Sequence, residues 1–436
     1  MGERRPRNGA SADVTKSTEV RPADTGAPVG TFGVLRIRPF FWLWLNAAVV
    51  FLGVMGQSIA RSWLAFELTG TNAALGGVLL SFGIAMLIAT PWGGVAADRL
   101  PKRLVLQIAL ALLFLTSAWI GIAVAAGFIE YWMLLAAGAI QAVGFALFNP
   151  ARMAFLAELV PRPAVPGAVS LLLVNSEVSR VIGPAVAGLV IGTIAVGTEA
   201  VFLGCAVLFA AAMVVNLSLP PGRRGGEAPD RSPLGELVDG VRYVRRRPQL
   251  AALLLCGVGV TMAGLPYLAF LPSVANGIFH TGPAGYGILS ASSAVGAVVC
   301  GLLVGHRSHR GRQHRVLVVA GFVFGVSLAA MAVAPTFWVT VAILVVVGGS
   351  LLAFQTSNQA LLMSLSDMEF HGRIQGLVML SFGAFGIAAL PLGVLADVIG
   401  LRWTLAGMAT LVVAVMAVFA VAGRRIFRQT RLLDLG

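Results

Sequence analysis

Twelve runs of apolar residues, each long enough for a membrane-crossing helix of about 20 residues, follow one another between positions 40 and 422. Nothing else in the sequence restricts the fold as strongly. Inside a bilayer the backbone must satisfy its own hydrogen bonds, which leaves helices or a closed barrel, and uninterrupted runs of this length are helical. A soluble chain with 58% hydrophobic and 11% charged residues could not cover its own surface. The expected fold class is therefore all-α, a polytopic membrane protein with twelve transmembrane helices. Two polar stretches, residues 1–38 and 219–248, divide these spans into two sets of six.

The net charge of +13 would suit a nucleic-acid partner, but the placement of the basic residues argues against one. With the N-terminus in the cytoplasm, 27 of the 31 Lys and Arg residues fall on the cytoplasmic side; Arg61, Arg152, Arg180 and Arg402 are the rest. That asymmetry is the positive-inside rule. It predicts a multi-pass protein of the inner (plasma) membrane with both termini cytoplasmic and membrane lipid as a partner. The expected boundaries are a disordered tail (1–38), a six-helix bundle (39–219), a cytoplasmic linker with an amphipathic helix (220–248), a second bundle (249–423) and a basic tail (424–436).

No cofactor is called for. Cys205, Cys256 and Cys300 lie inside apolar runs and read as small hydrophobes. His306, His309 and His314 alternate with arginines, which makes a basic loop rather than a metal site. The two lysines, Lys16 and Lys102, follow Thr and Pro, so the Gly-Lys-Ser/Thr loop of an ATP-driven pump is absent and no enzyme is indicated.

Charge inside the greasy part of the chain needs a reason. Gly93 to Arg103 is a charged turn between spans 2 and 3, and its Asp98 is the only acid between Glu67 and Glu130; it reads as a cytoplasmic latch. A charge at the centre of a span costs roughly 2.5 to 3.5 kcal/mol on insertion scales. Glu177 and Arg180 in span 5, three residues apart, can pair directly, either as a structural bridge or as a coupling group. Gly183, Pro184 and Gly188 follow as a hinge or a tight seam. Arg61, near the outer end of span 1, reads as a snorkelling side chain or an anion-attracting group. Span 7 carries Gly264, Pro266 and Pro272 and is expected to be kinked or discontinuous. Displacing the sequence by 206 positions lays Phe148-Asn149 on Phe354-Gln355, Glu158-Leu159 on Ser364-Leu365 and Pro184, with one residue of slip, on Pro391, which indicates duplicated halves.

These motifs resemble a known family. Gly94-x-x-x-Asp98-Arg99-x-Pro101-Lys102-Arg103 is similar to the loop signature of the major facilitator superfamily, with Pro101 where Gly is usual. Ser179-x-x-x-Gly183-Pro184-x-x-Ala187-Gly188 is similar to its exporter signature. Phe148-Asn149-Pro150-Ala151-Arg152 and Gly282-Pro283-Ala284-Gly285-Tyr286-Gly287 resemble the transmembrane secretion effector branch, with its enterobactin-exporter-like and Tap-like multidrug efflux members.

The resemblance implies two pseudo-symmetric six-helix bundles around a central cavity. It implies that Asp98 bonds the start of span 11 near Arg373, that Arg99 or Arg103 pairs with Glu158, and that Asp367 helps a weaker latch in the second half. Cavity candidates are Asn46, Gln57, Arg61, Gln141, Asn149, Asn175, Gln355 and Asn358. Many proton-coupled exporters carry an Arg-x-x-Gln-Gly pattern in span 4; here the match is Gly138-Ala139-Ile140-Gln141. Any proton coupling is then expected to use Glu177 and Arg180. The implied function is a monomeric secondary transporter that exports a small amphipathic molecule, such as a drug, siderophore or secondary metabolite, by alternating access with proton antiport. An importer working by symport, or a non-transporting membrane sensor or scaffold, are the other readings of the same spans.

Overall fold

The computed structural model describes residues 31–192, 197–222, 233–305, 313–367 and 370–433. The side chains of Asp98, Glu177 and Arg180, and the basic loop 306–312, lie outside the described residues. The described elements are all helical: α1 Arg38–Thr69, α2 Asn72–Arg99, α3 Lys102–Ala125, α4 Tyr131–Leu159, α5 Val165–Gly192, α6 Thr198–Leu217, α7 Pro233–Arg245, α8 Pro248–Gly264, α9 Tyr267–Ser273, α10 Gly282–Gly305, α11 Gln313–Ala332, α12 Phe337–Ser364, α13 His371–Ile399 and α14 Leu401–Leu433. Among the described residues, ten helical stretches are long and apolar enough to cross a membrane, the seventh span counting as one stretch from Pro248 to Ile278. The 28-residue α5 and 29-residue α13 pack among them.

The seventh span breaks where its prolines fall. Pro266 caps α9 after α8 has ended at Gly264, and a π turn, Val274–Ile278, follows Pro272. Elsewhere proline does not interrupt the helix: α5 runs unbroken through Pro184, and α2, α4 and α13 through Pro91, Pro150 and Pro391.

The helix contacts repeat. In the first half α1 packs on α5 and α6, α2 on α4, and α3 on α4 and α6. In the second half α8 packs on α13 and α14, α10 on α12, and α11 on α12 and α14. These are the same contacts with each helix replaced by its counterpart six spans later. The halves join symmetrically too, through α2 against α13 and α5 against α10. Two pseudo-symmetric bundles follow, with α1 beginning and α14 ending on one face. That face is called the termini face below, and the opposite one the far face.

The expected unstructured tail is shorter at its inner end. Thr31–Arg36 forms a 3-10 turn against α5, because Val34 can be buried completely there. The linker helix α7 was expected to lie on the membrane surface, and it packs against α13, α8 and α2. Among its described apolar side chains Val244 is buried, while Val238 and Val241 are exposed. Tyr243 stacks on Phe370 with ring centroids 3.8 Å apart.

Candidate functional site

At the far face the halves are joined by one carboxylate. Gly70, at φ 67°, turns the chain out of α1, and Thr71 caps α2 by accepting from the Ala74 N–H. The next two backbone N–H groups need acceptors. Asp397, at the end of α13 in the other half, supplies them. The Asn72 N–H and the Asn72 Nδ2 donate to Oδ1, and the Ala73 N–H donates to Oδ2, each at 2.8 Å. A carboxylate at a helix N-terminus also meets the positive end of its dipole.

Below this cap the helices are too close for side chains. A Cβ on Gly76 of α2 would lie 2.5 Å from the Ala389 carbonyl oxygen of α13, and one on Gly287 of α10 would lie 2.7 Å from Cα of Gly188 in α5. Both lines of contact between the halves are therefore shut toward the far face. Toward the termini face, Gly94 of α2 and Gly376 of α13 have open space where a side chain would begin.

Beneath the shut end is a cavity of about 320 Å³ built from both halves. Ser58 and Ser62 of α1 and Pro184 of α5 face Tyr267 of α9, Tyr286 and Ser290 of α10 and Gln355 of α12. The Tyr286 ring stacks on Trp63 of the opposite half at 6.3 Å, and the Tyr267 hydroxyl is 2.6 Å from that of Ser293. Gln355 also lines a second cavity of about 460 Å³ with Asn358, Gln359 and Gln375, the last two hydrogen-bonded to each other.

The structure scatters the sequence's cavity candidates. Gln355 and Asn358 do line cavities. Asn46 and Asn175 tie neighbouring helices together. Asn46 Nδ2 donates to the Ala212 carbonyl at 2.7 Å and Asn175 Nδ2 to the Trp44 carbonyl at 3.1 Å. Gln141 donates to Gln57 Oε1 at 2.9 Å and so bridges α4 to α1. Asn149 accepts from Arg152 Nη2 at 3.3 Å. Arg61 does not snorkel: it is 4% exposed, among the most buried polar residues. Gly183 packs on α1, where its Cβ would lie 2.7 Å from Met55, and Gly188 forms the seam with Gly287.

At the termini face, Glu158 pairs with Lys102 at 3.4 Å, while Arg103 donates to the Leu219 carbonyl at 3.1 Å and Arg99 is exposed. The ion pair described for Glu158 thus uses the residue between the two arginines that the motif suggested. Lys102 can do this because its stem is buried at the start of α3. Arg373 lies over the Phe370 ring at 4.7 Å. Asp367 pairs with Arg247 at 2.8 Å and accepts from Tyr243, which fastens the linker to the second half.

Asp397, Tyr286 and Arg152 were not among the candidates. One signal was available for Asp397: Gly-Val-x-Ala-Asp occurs twice, as Gly94-Val95-Ala96-Ala97-Asp98 and Gly393-Val394-Leu395-Ala396-Asp397. Each copy ends one member of the antiparallel pair α2 and α13.

A family model described as transmembrane secretion effector matches residues 29–429. The staphyloferrin A transporter of Staphylococcus aureus is 22% identical over 386 residues, covering 87% of this chain and 95% of that one. Macrolide efflux protein A of Streptococcus pyogenes is 23% identical over 388 residues, covering 87% and 94%. Among solved structures, a bacterial homologue of the human lysosomal transporter Spinster, in an inward-facing and unoccupied conformation, superposes with a TM-score of 0.72 at 14% identity, covering 89% and 97%.

Proposed function

The chain belongs to the transmembrane secretion effector family of the major facilitator superfamily, a family of transporters and not of enzymes, and from that premise we propose that it exports a small amphipathic molecule by proton antiport. A drug, a siderophore or a secondary metabolite fits the relatives' range. The termini face is assigned to the cytoplasm on the distribution of Lys and Arg. In that orientation the pocket is shut toward the outside and cargo reaches it from the cytoplasm. One twelve-span chain encloses the route, so a monomer suffices.

The observation that carries this reading is the Asp397 cap over a cavity shared by both halves. Asp397 ends α13 and binds the start of α2. Asp98, which closes the same pentapeptide at the end of α2, is assigned the reciprocal task of binding the start of α13 at the termini face. The two caps sit at opposite ends of one antiparallel helix pair. Rocking the halves about the pocket breaks one as it makes the other, which is alternating access reduced to two carboxylates. Glu177, with Arg180 one turn away, is assigned the proton.

Flux into inverted membrane vesicles tests direction and coupling together. With an imposed pH gradient, vesicles holding the protein should accumulate a transported drug, and an uncoupler should abolish the accumulation. Depletion would mean import, and no response would mean that the chain is not a transporter of that drug class. Asp98→Asn should stop accumulation while the folded protein remains in the membrane; full activity in that variant removes Asp98 from the mechanism.

A further inference from the structure

Two guanidinium groups are buried in the first half with no described carboxylate beside them. Arg61 is 4% exposed and Arg152 is 6% exposed. In both, Nε and Nη1 lack any hydrogen-bond partner. Arg152 has its bond to Asn149 and lies 4.9 Å from the centroid of the Phe51 ring. Gln57, one turn from Arg61 on the same stripe of α1, adds an unpartnered Nε2. All these orphan atoms are donors. Ten residues of α1 separate Phe51 from Arg61, about 15 Å along the helix, so the column covers about half the apolar core of a bilayer.

An unpaired charge held this far from water costs several kcal/mol, and an apolar side chain would pack at either position without that cost. The missing partner has to come from elsewhere. Of the 18 acids in the chain, only Glu177 falls near the middle of a span, the others within spans lying in the first or last turn, and the Glu177 side chain is outside the described residues. Meanwhile Ser58 and Ser62, which flank Arg61 in sequence, form the α1 wall of the shared cavity. Across it, Tyr286 and Ser290 line the facing wall, the Ser290 hydroxyl without a hydrogen-bond partner. A cationic amphiphile entering here meets like charge, whereas an organic anion meets donors at every level.

Resting on the transport reading above, we propose that the cargo is an organic anion, a carboxylate-bearing amphiphile whose charge is taken by Arg61, buried behind the Ser58 and Ser62 wall of the cavity, and by Arg152 nearer the termini face. Carboxyfluorescein and rhodamine 6G test this as a pair, because they share a xanthene ring system and differ in the sign of their charge. In full-length protein reconstituted in nanodiscs, carboxyfluorescein should bind at least about tenfold more tightly than rhodamine 6G. Arg61→Gln should erase that preference, Arg61→Lys should keep part of it, and Arg152→Gln should weaken carboxyfluorescein alone. Should Arg61→Gln not fold, the preference of the wild type and its response to citrate still decide: citrate should displace the dye and saturating chloride should not. Rhodamine 6G binding as tightly, a wild type that binds neither dye, a preference that survives loss of both arginines, or displacement by chloride each overturns the proposal. Vesicles that extrude rhodamine 6G but not carboxyfluorescein overturn the anion assignment and leave export standing. Vesicles that move carboxyfluorescein in the import direction leave the anion assignment standing and overturn export.

Discussion

Gly188→Leu is expected to reduce transport to less than a tenth of the wild-type rate without reducing the amount of protein in the membrane. Gly188 of α5 and Gly287 of α10 meet backbone to backbone, and a Cβ at either position falls inside the other helix's van der Waals envelope. The contact joins one half of the protein to the other, so the collision does not unfold a bundle. It prevents the two bundles from closing at the far face. Overpacking a close contact costs roughly 1 to 3 kcal/mol, and leucine at a glycine–glycine seam belongs at the upper end. A penalty of that size lowers the population of the closed state by about tenfold to over a hundredfold. Gly204→Leu on α6 is the control, because nothing lies within 4 Å of its Cβ position and the residue is exposed. Initial rates of drug uptake into inverted vesicles, normalised to protein by immunoblot, give the comparison. Wild-type rates in Gly188→Leu would mean that the seam never needs to close.

Asp397→Ala comes second in expected size. The carboxylate holds three donors from the first turn of α2, at a position exposed to solvent. Removing a capping side chain typically costs about 0.5 to 2 kcal/mol, and here the whole cost falls on the state closed at the far face, since the cap crosses between the halves. The balance of conformations should move away from that state by roughly twofold to thirtyfold. Asp397→Asn should move it less, because the amide keeps one acceptor oxygen and loses the attraction to the helix dipole. If Asp98 caps α13 at the other end, Asp98→Asn should move the balance the opposite way, and the double variant should return it toward the starting point. Solvent accessibility of a cysteine placed in the cavity, at Ser62, reads each shift; a double variant displaced as far as either single one would break the reciprocity.

Much of the fold was legible because the bilayer does the selecting. Hydropathy located the spans, the weak 206-residue repeat anticipated the matching contacts of the two halves, and Gly264, Pro266 and Pro272 marked the broken seventh span. The site was harder for a physical reason. A polar residue in a span is kept from lipid by its cost, but that leaves two destinations, a cavity or a neighbouring helix, and periodicity does not tell them apart. Asn46 and Asn175 went to neighbouring backbones, while Gln355 went to the cavity. Arg61 looked close enough to the membrane edge to snorkel, yet it is buried inside the protein, two residues before Trp63, which stacks on Tyr286 of the other half. Asp397 lies at a helix end in contact with solvent, where a carboxylate needs no special explanation until its partner helix is known.

The reciprocal caps are tested most directly by distances measured in one protein. With Cys205, Cys256 and Cys300 replaced, spin labels at Phe128 and Trp338 report the far face, and labels at Arg162 and Arg315 report the termini face; all four are exposed. Asp397→Ala should lengthen the far-face distance and shorten the other, and Asp98→Asn should do the reverse. Distances that stay put in both variants, or that move the same way in both, would contradict the mechanism.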